Sequence, residues 1–193
     1  MEFGAAPIGA PTSVNPVSNR KTVIVERERQ FPKAVASELG RRHSAALAGA
    51  VGRVLDLSDP SARSVLVDAI DRRVEPGADE CDVVISVAEL IRFPDLAAAL
   101  AAIDALLSPS GRLLAVEPIV RPGTLRVLGF APWTPTRSVR GFHVGRDLVA
   151  ALRTTTLMND DIDRFTLPTL VAPLRHFVSL GARRVVNIQE VQQ

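Results

Sequence analysis

The run Cys81-Asp82-Val83-Val84-Ile85-Ser86-Val87 limits the possible folds of this chain more than any other feature. It is apolar, rich in β-branched residues and too short for a typical helix, so it reads as a strand covered on both faces, as in a parallel sheet. A second such run, "RLLAVEP" at 112–118, follows 25 residues later. Between them, Asp95 is placed to cap a helix in which Leu96, Ala99, Leu100, Ile103, Leu106 and Leu107 recur at i, i+3, i+4 and i+7. "SPSG" at 108–111 is expected to close that helix. Strand, helix and strand in this order predict an α/β domain with a mostly parallel sheet.

The same reading extends in both directions. A helix is expected after Pro32 and on to about Ala50, with Val35, Leu39, Ala46 and Leu47 near helical spacing, ended by Gly52. "RVLDL" at 53–57 reads as a strand. Asp59 followed by Pro60 is a helix start, because aspartate accepts an orphan amide and proline suits the first turn. The helix places Ala62, Val65, Leu66, Ala69 and Ile70 on one face; a strand at "SVLVD" is the competing reading. "GRDLVAALR" reads as a short helix, and "DRFTLP" and "HFVSLGARRV" as final strands. At the other end, residues 1–20 are rich in Pro, Ser and Asn and read as a disordered arm, leaving a single domain at 21–188 and a tail at 189–193. "TVIVE" at 22–26 reads as a short strand.

Composition excludes several classes of function. Hydrophobic residues are 47% and charged residues 23%, a globular balance, and no apolar run reaches the roughly 20 residues of a membrane span. The net charge of +2 lacks the clustered basic face that nucleic acid requires. One cysteine, Cys81, permits no internal disulfide and no cysteine-based zinc site, which fits a reducing cytoplasm. His43, beside Arg41 and Arg42, and His176 show no ligand spacing, so no metal site is expected.

Taken in order, "GRVLDL", "ECDVVISVAELIRFPDLAAALAAIDALLSPSGRLLAVEP", "GFHVGRDLVAALR" and "FTLPTLVAPLRHFVSLGARR" resemble the class I S-adenosylmethionine-dependent methyltransferases, in particular the small-molecule branch called methyltransferase type 11. The resemblance covers roughly residues 35–185. It implies a Rossmann-like methyltransferase fold whose sheet ends in an antiparallel pair formed by "DRFTLP" and "HFVSLGARR". It also implies S-adenosylmethionine as the cofactor if the protein is active.

The chain departs from the family in two places. The family's loop after the first strand carries alternating glycines that let the cofactor approach the backbone, whereas this sequence has Ser58, Pro60 and Ala62. From Asp56 to Asp82 the chain runs 26 residues, enough for one helical crossover, where the family has two further strands and another helix. The acidic residue that holds the ribose hydroxyls is lost with them. A shortened sheet is therefore expected, its order first, fourth, fifth, seventh and sixth in family terms. The first strand becomes an exposed edge that "TVIVE" of this chain or of a partner could cover.

Candidate site residues follow from the strand ends. Asp56, Ser58, Asp59 and Asp68 are remnant cofactor positions: Asp56 matches an acidic residue that orders the family's loop, and Asp68 matches the acid that meets the adenine amino group, unless it simply faces solvent on its helix. Glu89, with Arg92, matches the substrate-facing turn, as a general base or a carboxylate partner, or is a surface residue starting a turn. His143 leads into the substrate-side helix and is a base or a loop residue. Trp133, with Phe130, lies in a turn-rich stretch resembling the family's substrate lid, or closes the core. Two functions are consistent with this set. One is a non-catalytic module binding a small apolar molecule or a protein; the other is an active small-molecule methyltransferase whose cofactor site is either non-standard or completed in a homodimer through the sheet edge. A gene remnant without function is a third possibility.

Overall fold

The computed structural model describes residues 31–73, 80–119, 138–139, 142–143, 147–169 and 175–184. The proposed arm, "TVIVE", Phe130 and Trp133 lie outside the described residues.

Helix α1 (Lys33–Ala48) turns Val35, Ala36, Leu39 and His43 inward, and Gly49 closes it by donating its N–H to Ala45 O, earlier than Gly52. Strand β1 (Val54–Asp56) leads into α2 (Pro60–Arg72). Asp59 caps α2 as its sequence suggests, its carboxylate accepting Ser61 N, with Pro60 in the first turn. The segment "SVLVD" is therefore helical. Strand β2 (Cys81–Val87) is buried except at Asp82, and a 3-10 turn (Leu90–Arg92) follows it. Asp95 accepts Ala98 N and starts α3 (Leu96–Leu106).

Strand β3 (Leu107–Pro118) begins at the end of α3, so the expectation that "SPSG" is a helix-closing loop is corrected. Leu107 pairs with Cys81, and the next aligned pair is Val83 with Arg112, so Ser108–Gly111 bulge out of register within the strand. Gly111 makes the bulge possible, since a Cβ there would lie 2.9 Å from Leu107 and 3.0 Å from the Cys81 carbonyl. A small hairpin, β4 (Ser138–Val139) and β5 (Phe142–His143), precedes α4 (Leu148–Leu152), β6 (Leu157–Thr166) and β7 (His176–Arg184).

The main sheet has the order β1-β2-β3-β7-β6. Strands β1, β2 and β3 are parallel, and β7 runs antiparallel to both β3 and β6. This is the order expected for a methyltransferase sheet without its second and third strands. Alternate residues of each strand feed two cores. On one face Val35 and Leu39 of α1 meet Val83, Ile85, Val116 and Phe177. On the other, Leu66, Leu100, Ile103 and Leu148 from α2, α3 and α4 meet Val84, Leu113, Ala115 and Val178. No described helix is long and apolar enough to cross a membrane.

Candidate functional site

The carboxyl ends of β1, β2 and β3 lie side by side, where open α/β sheets place their ligands. Three polar clusters stand there.

The first is at β1. Asp56 Oδ1 accepts the Ser58 hydroxyl at 2.8 Å and the Ser58 N–H at 3.1 Å, while Oδ2 pairs with His43 Nε2 at 2.7 Å. Burial pushes the Asp56 carboxyl up, but the hydrogen bond and charge of His43 and the two bonds from Ser58 outweigh it and hold it below its ordinary value. The Ser58 hydroxyl lies 3.3 Å from the same His43 nitrogen that meets Asp56. A nucleophilic triad needs one imidazole nitrogen for each partner, so this serine is not activated in that way. The cluster instead ties the loop after β1 to α1. His43, set aside in the sequence for want of ligand spacing, is a buried partner of Asp56.

The second cluster joins β2 to α2. Glu89 Oε2 accepts a hydrogen bond from Arg63 Nη1 at 2.8 Å and forms an ion pair with Arg92, whose Nε lies 3.0 Å away, and the Glu89 side chain is only 5% exposed. The reading of Glu89 as a surface residue is thereby corrected. Its carboxylate joins the start of α2 to the turn after β2. Asp59 caps its helix beside this cluster. Asp68 is solvent-exposed and pairs with Arg72 one turn on, as the reading of it as a solvent-facing residue expects.

The third cluster was not singled out from sequence. Buried Glu117, near the end of β3, accepts the Ser86 hydroxyl at 2.6 Å, Glu89 N at 3.1 Å and Leu90 N at 3.0 Å on Oε1, and Ile91 N at 3.3 Å on Oε2. Burial pushes this carboxyl up and outweighs the Ser86, Leu90 and Ile91 donors, leaving it at about 7. His143 is half-buried and lines, with Glu117, Leu90, Ile91, Leu96, Pro118 and Leu148, a cavity of about 20 Å³, room for one water molecule.

A larger cleft of about 440 Å³ opens between α2 and the turn after β2. Its walls are Pro60, Arg63, Ser64, Val67 and Asp68 on one side and Arg92, Phe93 and Pro94 on the other. No cluster of His, Cys, Asp and Glu suited to a metal occurs among the described residues. The structure thus brings Asp56 to Ser58, and Glu89 to Arg92, while Asp68 stands at the cleft and His143 beside Glu117.

No protein-family model matches the chain, and no curated protein matches it. Solved structures do. The [4+2]-cyclase SpnF is similar over 89% of this chain and 94% of its own, at 13% identity and a TM-score of 0.53. The 1,6-didemethyltoxoflavin-N1-methyltransferase of Burkholderia thailandensis, solved with 1,6-didemethyltoxoflavin and S-adenosylhomocysteine, matches over 95% of this chain and 94% of its own (19% identity, TM-score 0.48). The N-methyltransferase NodS of Bradyrhizobium japonicum WM9, with S-adenosylhomocysteine, matches over 86% of this chain and 98% of its own (15% identity, TM-score 0.47). The chain has a class I methyltransferase-like fold, with the sheet ending in an antiparallel pair.

Proposed function

We propose that this chain is a methyltransferase-like binding domain that works without S-adenosylmethionine, taking a small apolar molecule or a protein partner. The Arg63–Glu89 bridge carries this reading. It crosses from the start of α2 to the end of β2, the region where a nucleoside cofactor of this fold would lie.

A nucleoside there needs close backbone approach, amide donors and a carboxylate for the ribose. Pro60 offers no N–H, and Asp59 is engaged by Ser61. Asp56 is bound by His43 and Ser58, and Glu89 by two arginines. The described residues do not fit the cofactor. SpnF, a [4+2]-cyclase, has the same fold, so the fold alone does not specify methyl transfer.

Two surfaces suit the proposed partners. The 440 Å³ cleft falls within the usual size of a small-molecule site and presents Val67, Phe93, Pro60 and Pro94. Strand β1 pairs only with β2 among the described strands, and Val54 within it and Val51 just before it are exposed. Such an edge invites a strand from a protein, a second copy of this chain included.

Thermal unfolding with S-adenosylhomocysteine at one hundred times a trial Kd of about 10 µM tests the reading. A ligand binding that tightly adds about 2.7 kcal/mol and raises Tm by roughly 5–11 °C. The expected shift is under about 1 °C; a shift in the higher range supports an enzyme that holds the cofactor in a non-standard way.

A further inference from the structure

The cleft between α2 and the turn after β2 joins apolar walls to a surplus of positive charge. Pro60 and Val67 of α2 stand opposite Phe93 and Pro94 of the turn. Arg63 from one wall and Arg92 from the other converge on Glu89 Oε2, at 2.8 and 3.0 Å. That carboxylate is 5% exposed and does not line the cleft, whereas the two arginine side chains are 21% and 25% exposed and do. Two guanidinium charges against one carboxylate leave one positive charge facing the cleft. Asp68, also on the wall, is matched by Arg72 one turn on and adds no net charge. Of the Arg63 guanidinium only Nη1 is engaged among the described residues, although the group carries several N–H donors.

We infer that the cleft binds a small ring-bearing monocarboxylate, its apolar body between Val67 and Phe93 and its carboxylate on the Arg63 guanidinium. This rests on the reading of the chain as a binding domain that works without S-adenosylmethionine, and names the class of its small molecule. A flat apolar body suits the Phe93 ring and the prolines beside it. The planar fork of Arg63 matches a carboxylate.

A phosphate fits less well. Phosphates use the amides of a helix N-terminus. At the start of α2, Pro60 has no N–H, Ser61 N is taken by Asp59 Oδ1, and Arg63 N bonds to Asp59 O. A second negative charge on the ligand would find no uncompensated cation and would face Asp68.

The site is set before a ligand arrives. Ala88 N is anchored on Val116 O at 2.8 Å, and the amides of Glu89, Leu90 and Ile91 all donate to the Glu117 carboxyl. The turn that carries Arg92 and Phe93 is thus tied to β3, and Glu89 holds Arg63 in place. Groups fixed in this way lose little further freedom on binding.

Amide NMR titration of the full chain with naphthoate and with its neutral isostere naphthamide, at about pH 7 where the acid is ionised, tests the inference. Shifts are expected at Arg63, Ser64, Val67 and Phe93, with naphthoate binding about tenfold tighter, because only the acid makes a charge-assisted bond. Arg63→Gln removes the charge and leaves Glu89 its Arg92 partner, so the two compounds are expected to bind it alike. If that variant does not fold, Val67→Trp fills the cleft from an exposed position and is expected to abolish the naphthoate shifts. Naphthoate affinity unaltered in that variant overturns the inference. Equal affinity for acid and amide in the unaltered protein, or no shifts at the cleft, also overturns it and leaves the cofactor-free reading standing. Shifts at the same amides with S-adenosylhomocysteine overturn that reading and the inference with it.

Discussion

Replacing Arg63 and Glu89 by alanine, singly and together, measures whether the bridge across the strand ends holds the site closed. The magnitude follows from burial. Exposed ion pairs contribute about 0.2–1 kcal/mol, while breaking fully buried ones costs about 3–5 kcal/mol. Glu89 is 5% exposed and Arg63 21%, so this pair falls between those limits. Arg92, 3.0 Å from the same oxygen, retains part of the interaction when Arg63 is removed. The coupling energy from the double-mutant cycle is therefore expected at about 1–3 kcal/mol. Urea unfolding followed by far-UV circular dichroism provides the four stabilities, and each kcal/mol corresponds to a shift of roughly 2–4 °C in Tm for a domain of this size. A coupling below about 0.5 kcal/mol would refute the argument, because the pair would then behave like a solvated surface contact.

Asp59→Ala removes the cap of α2 and is expected to lower stability by about 1 kcal/mol, read from the urea midpoint. Gly111→Ala places a Cβ against Leu107 and the Cys81 carbonyl and is expected to destabilise by about 1–3 kcal/mol in the same assay. Asp56 is held below its ordinary 3.8, so its contribution is present above that pH and lost as pH falls through the lower folded value. Acid unfolding should accordingly show the advantage of the unaltered protein over Asp56→Asn shrinking below about pH 4. Replacing Ser58, Pro60 and Ala62 together by glycine should lower stability through added unfolded-state entropy, and should not create measurable S-adenosylmethionine binding in equilibrium dialysis.

The sheet was legible in the sequence because each central strand is a short apolar run and each helix repeats its apolar residues at 3.6-residue spacing. Asp59 and Asp95 announced their helices through local chemistry, and both cap as expected. The early start of β3 was hidden, because "SPSG" has turn chemistry and only the distant pairing of Leu107 with Cys81 makes it part of a strand. His43 left a usable signal, since it falls in phase with Val35 and Leu39 on the buried face of α1. Glu117 left one too, two residues beyond Ala115 and four beyond Leu113 on the inward side of β3. The burial of Glu89 left none, because it depends on Arg63 reaching over from another element.

Calorimetric titration of the full chain with S-adenosylmethionine and S-adenosylhomocysteine tests most directly whether the strand ends are closed to a nucleoside. No saturable heat is expected for either compound up to millimolar concentration. Saturable binding with a micromolar Kd, about −8 kcal/mol of affinity, would mean that Arg63 and Glu89 part to admit the cofactor and that this methyltransferase-like fold still holds its donor.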